Sequence, residues 1–65
     1  MSDPDLGVSF DGSLYLLSPL TDVGAEWIFE HIPEDAQTWG DAVVVEHRYI
    51  FDIVEGAQAD GLTVV

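Results

Sequence analysis

The side chains best placed to do chemistry in this chain are its carboxylates. Asp22, Glu26 and Glu30 stand at i, i+4 and i+8, so on a helix they stack along one face with about 6 Å of axial rise between neighbours. Glu34 and Asp35 extend the row past the end of that helix, and a second group, Asp52, Glu55 and Asp60, follows later in the chain. Paired carboxylates can serve as acid and base, but thirteen acids in 65 residues produce close pairs by chance. No Ser-His-Asp order, phosphate-binding glycine loop or HExxH helix accompanies them. His31 and His47, taken with Glu34, Asp35 and Glu46, fall into no motif with metal-ligand spacing. A helix C-terminus accounts for His31 more simply, as a favourable contact with the helix dipole. The expectation is a protein that is not an enzyme and carries neither metal nor cofactor.

The charge pattern has a cost. Like charges at i, i+4 destabilise a helix by a few tenths of a kcal/mol per pair, and Glu30 and Asp60 fall in last turns, where the dipole disfavours an anion. Arg48, four residues before Asp52, is the one local compensation expected. Thirteen acids against one basic residue leave a net charge of −12. On a folded surface of roughly 4,000 Å² that is about one net charge per 340 Å², beyond the magnitude that solubility requires. Nothing basic is available to grip nucleic-acid phosphates or an anionic membrane. Two ordinary explanations compete, solubility of a small hydrophobic protein and adaptation to a high-salt cytoplasm. The more specific one is a surface that imitates a phosphate backbone. Carboxylates repeating at about 6 Å along a helix match the phosphates of one DNA strand closely enough to enter a Lys/Arg groove. Such a complex forms fast and weakens with salt.

Something must hold those acids in place. Hydrophobic residues make up 48% of the chain and aromatics 11%, and mean hydropathy is +0.21, which argues for a folded core and against disorder. With no cysteine there is no disulfide framework, and a reducing cytoplasm suits the chain. The longest apolar run is Ala42 to Val45, so neither a signal peptide nor a membrane span is expected.

A single domain over 1–65 is expected, with residues 1–7 as a frayed polar lead-in. Val8–Leu17 reads as a β-hairpin turning on Asp11-Gly12. Thr21 is an N-cap for a helix from Asp22 to about His31, ended by Pro33, with Val23, Trp27 and Ile28 on its buried stripe. Gly24 inside that helix implies close packing against the sheet. Glu34–Asp41 reads as a loop, with Trp39 either packed or facing a partner. Ala42–Val45 has the pattern of a strand buried on both faces. A second helix spans about Arg48 to Asp60 with Ile50, Ile53, Val54 and Ala57 on one stripe and Gly61 at C′. Leu62–Val65 closes the chain as a strand. The fold class is α/β of the α+β kind: a small mixed sheet of about four strands with two helices packed on one face, in the order β-β-α-β-α-β.

From Leu14 to Leu62 the segments Leu-Leu-Ser-Pro-Leu-Thr, Glu-Trp-Ile, Pro-Glu-Asp-Ala-Gln, Val-Val-Val-Glu-His-Arg-Tyr-Ile and Ala-Asp-Gly-Leu resemble a family of small uncharacterised bacterial and phage proteins. The size and acidity also resemble the anti-CRISPR proteins that act as DNA mimics, in particular inhibitors of type I-C systems. That resemblance implies a monomer, cytoplasmic in the bacterial host, bound to the large subunit of a crRNA-guided surveillance complex at the basic site that reads the protospacer-adjacent motif. The partner surface would then be Asp22, Glu26, Glu30, Glu34 and Asp35 first, and Asp52, Glu55 and Asp60 second. The alternative is a small interaction or regulatory protein, such as an antitoxin, binding through exposed hydrophobics.

Overall fold

A computed structural model describes residues 3–65 of the chain. The elements are β1 (Leu6–Asp11), β2 (Leu14–Pro19), α1 (Asp22–His31), β3 (Thr38–Trp39), β4 (Ala42–Glu46) and α2 (His47–Ala59). The four strands form one antiparallel sheet in the order β1-β2-β4-β3. The α+β class and both helices follow the sequence reading; the strand order differs from it. The expected fourth strand, Leu62–Val65, is reduced to an isolated parallel bridge between Leu6 and Val64. The fourth strand of the sheet is instead the two-residue β3, inside the segment read as loop. Trp39 pairs with Ala42 there, a short edge contact that leaves no hydrophobic period to detect in sequence.

The lead-in is ordered earlier than expected. Met1 and Ser2 lie outside the described residues, but Leu6 is fully buried and Asp5 is bonded to two distant segments. Its backbone N–H donates to the Thr63 carbonyl at 2.8 Å, and its own carbonyl accepts from Leu20 N–H at 2.8 Å. Its carboxylate accepts from Thr21 Oγ1 at 2.7 Å and from Thr63 N–H at 3.2 Å. The hairpin turn moves by one residue: Asp11 pairs with Leu14, so Gly12-Ser13 form the loop, and only Gly12 has positive φ, 68°, as a type II′ turn requires.

Register explains the core. Leu17 opposes Val8 and Val43, and Tyr15 opposes Phe10 and Val45, so these side chains share one face of the pleat. Leu6, Leu17, Val43 and Val45 on that face pack with Trp27, Ile50, Ala57 and Leu62 in one buried cluster, which places both helices on the same side. Leu16 and Val44 point to the other side, so β4 is not covered equally on both faces. Val44 is only half-buried.

Local chemistry sets the helix ends. Thr21 is extended, and its Oγ1 accepts from Gly24 N–H at 3.1 Å, the expected N-cap. Gly24 is required by proximity: a Cβ there would overlap the carbonyl oxygen of Asp5 and crowd Leu6. The close packing expected at this glycine is thus against the Asp5 backbone just ahead of β1. α2 starts at His47, after Glu46, whose side chain does not cap it. At its C-terminus, Gly61 N–H donates to the Gln58 carbonyl and Leu62 N–H to the Ala57 carbonyl, each at 3.0 Å. This is a Schellman closure, and φ of 92° at Gly61 is the left-handed geometry that glycine adopts without a Cβ penalty.

Candidate acidic interaction surface

All eight acids singled out in the sequence are exposed. Their arrangement differs from a continuous row of five. Asp22, Glu26 and Glu30 do run along α1, with Asp22 in the first turn, where the dipole favours an anion. The helix then ends, because Pro33 disfavours helical geometry at the preceding residue; Ile32 is extended at φ −105° and ψ 133°. Glu34 and Asp35 occupy the tip of a turn closed by Ala36 N–H donating to the Pro33 carbonyl at 3.0 Å. The row is therefore three acids on a helix and two on a separate turn.

Asp60 has a role that its sequence position does not reveal. Trp27, buried with 7% exposure as expected of a core residue, donates its indole Nε1–H to Asp60 Oδ2 at 2.8 Å. This bond ties the end of α2 to the middle of α1, and it compensates a carboxylate at a helix end that would otherwise repel it. His31 stacks on the same indole, with ring centroids 4.3 Å apart and planes at 15°. Its Nδ1 lies 2.9 Å from the Trp27 carbonyl; a carbonyl only accepts, so Nδ1 carries the proton. Its Nε2 faces Asp60 Oδ2 at 3.5 Å, too long for a good hydrogen bond. Glu26, Glu30 and Asp60 line one shallow hollow of about 370 Å³ around this stack, so acids from the two sequence groups meet there. Asp52 faces a different groove, and Glu55 stands apart from both.

The single cation does not compensate Asp52. Arg48 donates to Glu46 Oε2 from Nε at 3.2 Å and from Nη2 at 3.1 Å. Its guanidinium carbon lies 5.2 Å from the centre of the Tyr49 ring. The hydrogen bond to Glu46 is the main reason that the guanidinium pKa is raised above its ordinary value, with the Tyr49 and Glu46 charges adding to it. The pair i, i−2 wins over i, i+4 because Glu46 lies at the strand–helix corner, where the backbone turns its carboxylate toward Arg48. The same bond explains why Glu46 does not cap α2. Among the described residues, no ion pair engages Asp22, Glu26, Glu30, Glu34, Asp35, Asp52 or Glu55.

The sequence reading missed Asp5, whose acid in a Pro- and Ser-containing segment carried no pattern. It also had no means of locating exposed aromatics. All three phenylalanines are exposed, Phe10 at 62%, Phe29 at 77% and Phe51 at 72%, and Trp39 is 53% exposed. Phe29 follows Glu26 by three residues on the outer face of α1, so the aromatic and the acids share a surface. Among the described residues no three His, Asp or Glu side chains converge in a way that could hold a metal ion, and no helix is long and apolar enough to cross a membrane. Comparisons with protein-family models, with curated proteins and with solved structures return no match. Any likeness to anti-CRISPR proteins therefore stands on size and charge alone.

Proposed function

We propose that this protein is an acidic decoy: a monomeric inhibitor that occupies the DNA-binding groove of a basic nucleic-acid-binding protein. The observation that carries this reading is the outer face of α1, where Asp22, Glu26 and Glu30 project side by side with no cation among the described residues engaging any of them. A helix that keeps three like charges in register forgoes stability, and a Lys/Arg-lined partner recovers it on binding. The resemblance to DNA-mimic anti-CRISPR proteins names the partner to try first, the large subunit of a type I-C surveillance complex at its motif-reading site.

The test is competition for DNA. The wild-type protein should displace target duplex from the type I-C complex, with an apparent affinity that falls steeply between about 50 and 200 mM salt. Neutralising Asp22, Glu26 and Glu30 together, to Asn, Gln and Gln, should abolish displacement while the circular-dichroism spectrum is unchanged. Each single change should cost only a few-fold. Undiminished inhibition by the triple variant removes α1 as the site, and no displacement by the wild type removes this partner. A second reading, an interaction protein of the antitoxin kind, is favoured by the exposed Phe10, Phe29 and Phe51. It predicts a complex whose affinity changes little over the same salt range.

A further inference from the structure

We infer that the groove between α2, β4 and the Pro33–Ala36 turn seats an aliphatic side chain carried on a basic amphipathic helix of the partner. This rests on the decoy reading and adds a second, apolar component to it. The groove has a volume of about 430 Å³ and is floored by Ile32, Ala36, Val43 and Ile53, with half-exposed Tyr49 at its mouth. That size lies within the range of side-chain and ligand pockets. Its border is negative. Asp52 from α2 and Glu46 from the end of β4 line it, and the turn that forms one wall carries Glu34 and Asp35 at its tip.

The chain's one basic side chain compensates this border at Glu46 alone. Arg48 is held by Glu46 and lines a different hollow, with Ser13 and Leu14. Asp52, Glu34 and Asp35 have no ion-pair partner among the described residues. His31, also at the edge, leans on Trp27. An occupant must therefore bury apolar surface in the floor and bring positive charge to the rim. A wholly apolar segment would desolvate those carboxylates without pairing them. A second copy of this chain brings another net −12 to a rim of the same sign. A helix with Leu, Ile or Met at i and i+3 or i+4, flanked by Lys or Arg, meets both conditions.

The measurement is a two-dimensional NMR titration of the isotope-labelled protein with two synthetic 18-residue peptides of equal positive charge. One carries Leu at helical spacing among Lys; in the other every Leu is Gln. The Leu peptide should bind about 10-fold more tightly and shift the methyl resonances of Ile32 and Ile53. Tyr49→Ala, at an exposed position, should remove most of that preference. Phe51→Ala, on the same helix but lining a different hollow, should leave it intact. Equal affinities with a steep salt dependence overturn the groove and leave the charge reading standing. Methyl shifts centred on Val8 and Val54 instead also overturn it, since they place the peptide in the other hollow. If neither peptide binds at about 50 mM salt, the decoy reading fails together with the groove.

Discussion

Two sets of carboxylates on this molecule have the same chemistry and opposite roles. Asp5 and Asp60 are tied in: one accepts from Thr21 and Thr63, the other from the Trp27 indole. Asp22, Glu26 and Glu30 accept no side-chain hydrogen bond from the other described residues. The tied acids sit where chain ends and helix ends leave N–H and O–H groups facing inward, so each binds donors that would otherwise be lost from water. The free acids lie along the outer face of α1, and their carboxylates are exposed. Charge on this protein is therefore two things, a fastening at the seams and a display on α1.

That contrast can be broken or sharpened by substitution. The largest effect is expected at Gly24, where a methyl group collides with the Asp5 backbone. Gly24→Ala should cost about 2–4 kcal/mol, most of the stability of a domain this small, and a urea titration followed by circular dichroism would show it. Asp60→Ala should come next, at about 1–2 kcal/mol for an indole donor left without its partner, or roughly 5–15 °C in Tm. Asp60→Asn keeps an acceptor oxygen and should lose less; equal losses would mean that the charge matters and the hydrogen bond does not. Asp5→Ala should resemble Asp60→Ala and additionally free the C-terminal segment, read as faster amide exchange at Val65, whose N–H donates to the Leu6 carbonyl. The smallest effect belongs to the display. The triple change of Asp22, Glu26 and Glu30 should leave Tm unchanged or slightly higher, by a few tenths of a kcal/mol per relieved pair. A drop comparable to that of Asp60→Ala would erase the distinction between the two sets. Salt offers a global check: screening the net −12 should raise Tm modestly, whereas unfolding in low salt would favour the high-salt adaptation reading.

Legibility followed the range of the interactions. α1 was readable to its ends because Thr21 and Pro33 act within one turn of chain; of the expected buried stripe Trp27 and Ile28 do pack inward, but Val23, near the start of the helix, stays 56% exposed. The core side of α2 was readable from Ile50, Ile53, Val54 and Ala57 for the same reason. The Gly12-Ser13 turn was missed by one residue, since strand register depends on the partner strand as well as on the turn. β3 was missed because two residues carry no period, and Thr38–Trp39 becomes a strand only through β4 beside it. Arg48 was expected opposite Asp52 by helical spacing, and the strand–helix corner gave it Glu46 instead.

The chain alone determined that this would be a folded, strongly anionic α+β domain with three acids stacked on one helix. Those properties depend on composition, on 3.6-residue periodicity and on caps, all of them local in sequence. Tertiary structure decided which acids are tied in and which are left exposed and unpaired among the described residues. Asp5 reaches Thr63 and Asp60 reaches Trp27 across 58 and 33 residues, and such donors are assigned by the packing of distant segments. The apolar groove with an acidic rim is likewise a product of assembly, because its floor and walls come from α2, β4 and a turn that meet only once the core is closed.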